Sequence, residues 1–370
     1  MITPRNIYTA FGLVFSLFLA GCHEGDKTKP DTFDRSDFLV NMADGFVKPA
    51  FNQLLTESRS LQSKADLFSE NPNAVRLDSL QAAWMSAYSA WQRANGFNFG
   101  PAAEAGTQKT LSEEIAIFPV SESKINSILS GNPFNLKDFN RDARGFLAVE
   151  YLIFSQTDDD AKIAASFSNS NKKEYLKAIC KDIVEKVKPI SDAWNGAYRN
   201  EFVKNNGTES GSSTSMFYNE FVKSFESMKN FKVGLPLGKR PGQTAVNPNL
   251  LEARYSGASH QFLKLNIENI NQIWQGKPFN SDVDGNGFKE YLNNVEGGKA
   301  LVLSSENQMN NVMKVLNDLP WDPNLLVQLE SNSSNLDNLH TELQKQTRFF
   351  KSDMSSILGI AITYSSGDGD

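Results

Sequence analysis

Histidine and cysteine are scarce: three of the one and two of the other in 370 residues. With so few, no H-E-x-x-H helix is present, and no P-loop or G-x-S-x-G elbow occurs either, so the commonest zinc-protease, nucleotide and serine-hydrolase signatures are missing. Strand-like alternation is almost absent, and no short repeat suggests a solenoid. A surplus of basic residues is lacking too. The formal net charge is -6, which makes nucleic acid and anionic lipid headgroups poor partners. Past the first 21 residues no apolar run approaches membrane-spanning length.

The N-terminus is where a long apolar run does occur. Arg5 precedes Ala10 to Ala20, and the run closes on Leu19-Ala20-Gly21-Cys22. A positive n-region, a short h-region and small residues before a cysteine read as a secretory signal over 1–21 with a lipobox. Cys22 is then the lipidation site, and its acyl groups make the lipid bilayer a partner of an exported, lipid-anchored chain. His23 rather than Asp follows the cysteine, which favours the outer membrane, on its periplasmic face or at the cell surface. Residues 22–35 are polar apart from Phe33 and read as a flexible tether. An acylated Cys22 leaves Cys180 without an intrachain partner.

Elsewhere the period is helical. Leu80, Trp84, Ala87, Tyr88 and Trp91 make one stripe, and Leu39 through Leu55 make another, with Pro49 inside it as an expected kink. Further helices are expected over 142–155, 172–204, 214–229, 250–275, 297–319, 323–331 and 335–358, the last continuing into 359–364. The chain therefore reads as all-α. Its length suits two helical-bundle domains, 36–165 and 166–370, parted by the polar stretch 155–173, with a cleft between them. The Gly/Ser-rich stretch 205–215 reads as a surface insertion.

Arg144-Gly145-Phe146-Leu147-Ala148-Val149-Glu150 resembles the G-x-H-x-x-E segment of the imelysin family, first described as insulin-cleaving metallopeptidases. Phe97 to Pro101 resembles its aromatic-Gly-Pro turn, and Ile117-Phe118-Pro119-Val120 its I-W-P-V element. Lys232 to Gly238, Glu252 to Ser259 and the ending Asp368-Gly369-Asp370 are similar to the second half of imelysin-like lipoproteins. The resemblance implies two four-helix-bundle-like domains, a site in the cleft between them, and a link to iron uptake. It makes Gly145, Glu150, Arg254, Tyr255, Ser256, Ser259, Phe99 and Phe118 candidate cleft residues.

One departure from the motif matters chemically. Residues three apart on a helix share a face, so a His and a Glu at that spacing can converge on one metal. Here the His position is Leu147, which neither ligates nor titrates. Glu150 and His260 remain as metal-ligand candidates, for iron or another divalent ion; His340 reads as a solvated or packing residue. If Glu150 is buried it needs a partner, for which Arg254 is preferred and Arg93 second. Asp282 to Gly287 imitates the start of a calcium loop, but its twelfth position is Asn293, so a Gly/Asp turn is the better reading. Loss of the His favours a non-catalytic binding protein for iron or an iron-bearing ligand. A metallopeptidase with Glu150 as its catalytic residue, and a structural or carbohydrate-contacting surface protein, are the alternatives.

Overall fold

Pro49 decides how the folded chain begins. An interior proline cannot donate to the carbonyl four residues back and crowds it, and here that carbonyl belongs to Gly45. In the computed structural model, which describes residues 33–104, 109–279 and 281–364, Gly45 O instead accepts the Phe279 N–H at 3.0 Å. The expected single helix is thereby divided into α1 (Arg35–Asn41), a π-helical turn over Met42–Val47, and α2 (Lys48–Glu70). All nine apolar residues of its predicted stripe are buried. Asp34 caps α1 by accepting the Ser36 and Asp37 N–H groups at 2.9 and 3.1 Å. Phe33 is buried and stacks on Tyr291 with centroids 4.4 Å apart. The expected tether therefore gives way to packed chain before residue 35; Cys22 and the signal segment lie outside the described residues.

The remaining helices follow in order: α3 (Ala74–Ala94), α4 (Leu111–Ile115), α5 (Glu122–Leu129), α6 (Phe146–Ile153), α7 (Asp160–Ser166), α8 (Ser170–Asn195) and α9 (Tyr198–Lys204). Then come α10 (Ser213–Ser227), continued by a π-helical stretch Met228–Gly234, and α11 (Ser259–Trp274), α12 (Phe288–Asn293), α13 (Gly298–Asp318), α14 (Leu325–Ser331), α15 (Ser334–Arg348) and α16 (Met354–Leu358). No strand occurs among the described residues. The protein is all-α.

Helices α2, α3, α6 and α8 pack as one bundle, and α10 with its π-helical extension, α11, α13 and α15 as a second. The expected boundary at 165 is misplaced, because α8 lies beyond it yet completes the first bundle. Its apolar face, Tyr175, Leu176, Ile179, Ile183, Val187 and Ile190, is wholly buried. The polar stretch 155–173 misled because it holds a helix of its own, α7, which packs on α3. Helix α3 also packs on α11, so both bundles belong to one compact unit. The last helix ends earlier than expected, since Gly359 takes φ +63° as its C-cap. Residues 360–364 run in non-helical form along α10, where Asn219 Nδ2 donates to Ala361 O at 3.0 Å and Asn219 Oδ1 accepts the Thr363 N–H at 2.7 Å.

A buried ion cluster anchors α4 to the first bundle. Glu114 accepts from Arg144 at 2.5 Å and Arg141 at 2.9 Å, with Lys186 at 3.4 Å. Burial pushes the Glu114 carboxyl up, but the three cations outweigh it and hold the pKa below its ordinary value. This cluster holds the segment that leads into the site.

Candidate functional site

Gly145 precedes α6 with φ +80°, and a Cβ there would collide with the Ile115 carbonyl. The glycine of the motif is thus a backbone requirement rather than a ligand contact. It brings the start of α6 against the 115–120 segment and aims Leu147 and Glu150 into one crevice. That crevice is walled by Phe118, Pro119 and Val120 on one side and by Leu251, Ala253, Arg254 and Tyr255 on the other. Its free volume, about 20 Å³, suits a single water.

Glu150 is buried, and its Oε1 accepts the Ser256 N–H at 2.8 Å. Burial raises its carboxyl pKa to about 7; the Ser256 hydrogen bonds work against that rise, and the nearby Glu252 charge adds to it. The expected Arg254 partner is elsewhere. Arg254 pairs with Glu122, donates to Asn249 Oδ1 at 2.7 Å, and lies over the Tyr255 ring at 4.4 Å. Arg93 points away as well, to Gln53 and the Phe279 ring. The 252–257 turn, with Ala253 at φ +53°, presents the Ser256 N–H to Glu150 and sends the Arg254 guanidinium to Glu122.

Other sequence candidates divide similarly. The hydroxyls of Ser256 and Ser259 donate to the backbone of the same turn, at Ala253 O and at Glu252 O and Ala253 O, so they fasten α11 to it. Tyr255 OH donates to Glu122 at 2.5 Å, and its ring meets Tyr151 edge-on. Phe99 does not line the crevice: it is buried among Trp194, Phe202 and Phe217. His260 is buried and stacked 3.9 Å from the Trp321 ring; burial, then the Lys264 charge, lowers its pKa, and a backbone hydrogen bond at Pro320 opposes the shift. It does not reach Glu150's crevice. Among the described residues no three His, Cys, Asp or Glu side chains converge as a metal-ligand set. Within the turn-like 282–287 stretch, Gly285 N–H donates to Gly276 O at 2.9 Å, and Asn41 Nδ2 donates to Asn286 O at 3.0 Å.

A larger cleft, of about 320 Å³, lies on the other side of Phe118, which lines both spaces. The two are parted by the segments 117–120 and 251–254. Ile117 and Glu252 face the cleft; Pro119, Val120, Leu251 and Ala253 face the crevice. Trp91, Ala116, Met228 and Phe231 supply most of the cleft's apolar wall. At its floor Lys232 Nζ donates to both Glu252 carboxylate oxygens at 2.8 and 2.6 Å and to Gln92 Oε1 at 2.8 Å. Tyr88 OH donates to Glu252 at 2.5 Å. Burial, then Glu252, pushes the Tyr88 phenol far up; burial pulls the Lys232 ammonium down while Glu252 pulls it back.

None of Tyr88, Gln92, Lys232 and Glu252 stood out as a site residue in the sequence. Tyr88 is one member of an apolar stripe, and Lys232 and Glu252 are single charges about 20 positions apart in loop-like motifs. The lone Lys232 at the head of the apolar run Val233 to Leu237 was the available signal, since a buried charge needs its counterpart.

The fold as a whole is matched by known proteins. The imelysin family profile fits residues 47–349. The chain belongs to the imelysin family. Among relatives, iron-regulated protein A of Synechococcus elongatus is 21% identical over 209 residues, covering 54% of this chain and 54% of the relative. The alignment thus spans about half the length of each. Two solved structures share the fold: an imelysin-like protein of Psychrobacter arcticum, at TM-score 0.70 and 18% identity over 90% of this chain and 97% of that one, and a protein of Parabacteroides distasonis described as an iron-regulated protein A precursor, at TM-score 0.72 and 15% identity over the same shares. In this imelysin Leu147 stands beside Glu150 in the crevice that follows Gly145.

Proposed function

We propose that this imelysin is an exported, lipid-anchored binding protein of iron supply, which captures an iron-bearing organic ligand and carries out no peptide cleavage. The observation that carries the reading is the cleft of about 320 Å³, mainly apolar with a few convergent polar groups, a composition typical of small-molecule sites. The crevice that holds the motif, by contrast, has room for about one water and offers one carboxylate beside a leucine. A metallopeptidase mechanism needs a metal held by several ligands and a water activated on it. The iron association is supported by the name of the Synechococcus relative.

Trp91 in the cleft wall gives a direct readout. Titration with ferric chelates, haem or ferric salt should quench tryptophan emission for at least one iron-bearing organic ligand, and Trp91→Phe should remove much of that quench. No response to any of them would sink the reading. Chelator-sensitive cleavage of peptides that disappears in Glu150→Gln would instead reinstate a metallopeptidase. The anchor rests on the lipobox ending at Cys22. Metabolic labelling with a fatty-acid analogue should tag the wild-type protein and leave Cys22→Ser untagged; equal labelling of the two, or none of the wild type, would refute lipidation there.

A further inference from the structure

The charges of the larger cleft do not balance, and the imbalance is local. Glu113, Glu220 and Glu252 line it against Lys223 and Lys232. Lys232 is consumed by Glu252 and Gln92, so that pair presents little net charge to a ligand. Glu113 caps α4 by accepting from the Thr110 hydroxyl at 2.8 Å and its N–H at 3.3 Å. Glu220 is different. Its side chain is 10% exposed, yet its cationic neighbour Lys223 stands at 3.5 Å, is 40% exposed, and sits three residues on along the same helix. Asn98 hydrogen-bonds this carboxylate as well, through backbone and side chain, yet burial still raises its pKa, so a closer cation would favour the ionised form. Around it, Phe118 and Phe231 present aromatic surface beside the buried Trp91, and the Arg240 guanidinium lies 5.0 Å from the Phe231 ring centroid, so this wall accepts a cation and tolerates an apolar body. With Glu252 matched by Lys232, an anionic ligand would meet Glu113 and Glu220 against Lys223 alone of the lining cations.

We propose that the cleft selects an organic molecule bearing a protonated amine, and that Glu220 receives that amine while the aromatic wall holds the attached apolar body. This rests on the cleft being the ligand site of the preceding reading and names the charge that the ligand carries. Lys223 swings toward solvent as the amine arrives, which its exposure permits.

The test uses the full chain purified in detergent and two matched probe pairs. The first is a ferric trihydroxamate ending in a primary amine and the same chelate N-acetylated; the second is the same two molecules without iron. The amine form should bind on the order of tenfold or more tighter than the acetylated form. Glu220→Gln, checked for folding by its melting curve, should erase that preference and leave the affinity for the acetylated form unchanged. Glu113→Gln, at the half-buried cap of α4 and with an amide oxygen still able to accept from Thr110, should keep the preference. Equal affinities in the wild type, a preference that survives in Glu220→Gln, or no binding of any probe would each overturn the proposal. Amine-selective binding of the iron-free pair with none by the ferric pair would uphold it while removing the iron-bearing ligand alone.

Discussion

Glu150 shows how one residue's surroundings set its chemistry. With its carboxyl pKa at about 7 in the fold against 4.5 unfolded, it is protonated in both states below pH 4.5 and ionised only in the unfolded chain between the two values. Stability therefore falls as pH rises through this window and levels off above it, by up to about 3 kcal/mol for this group. Denaturant titrations from pH 4.5 to 8 should show that decline, and Glu150→Gln, which still accepts the Ser256 N–H, should lack this part of it. An identical slope in both proteins would mean that Glu150 is ionised at its ordinary pKa.

A single glycine governs the element that carries Glu150. Helix α6 can start beside Ile115 only because residue 145 has no Cβ and adopts φ +80°. Gly145→Ala combines a strained backbone with a clash against main chain that cannot move aside. A loss of about 2–4 kcal/mol is expected from urea unfolding, by analogy with other strained and overpacked positions. A loss below 0.5 kcal/mol would show that the 115–120 segment yields easily. The same element logic explains the split of the first helix: Pro49 frees the Gly45 carbonyl, and Phe279, more than 200 residues later, satisfies it. Periodicity located these helices well, because Leu80, Trp84, Ala87, Tyr88 and Trp91 advertise one buried face. It located α4, α5 and α7 badly, since five to eight residues hold too few turns for a stripe to register.

Across the molecule, the Tyr88–Glu252–Lys232–Gln92 network ties α3 of the first bundle to the π-helical stretch and turn that flank α11 in the second. Truncating one partner leaves the other buried and uncompensated, whereas removing both removes the desolvation cost as well. Lys232→Met and Glu252→Gln singly should each cost about 3–5 kcal/mol, and the Lys232→Met, Glu252→Gln double variant distinctly less than their sum. Additive losses in the cycle would mean that the pair is not coupled. No described helix is long and apolar enough to cross a membrane.

The sequence by itself determined the helical class, the stripes that form the two bundles, and the motif residues Gly145, Leu147 and Glu150, because local periodicity and local spacing are written in consecutive residues. Only the tertiary structure decided who partners whom. Arg254 looked like the counter-ion of Glu150 and is drawn to Glu122 instead, while a backbone N–H from Ser256 serves the carboxylate. The bundle boundary, too, was set by which face of α8 found a groove rather than by where the polar residues cluster. Such choices depend on the direction in which a turn points its side chains, and in 252–257 that direction follows from Ala253 at φ +53° together with the Ser256 and Ser259 hydroxyls that bond back to the turn.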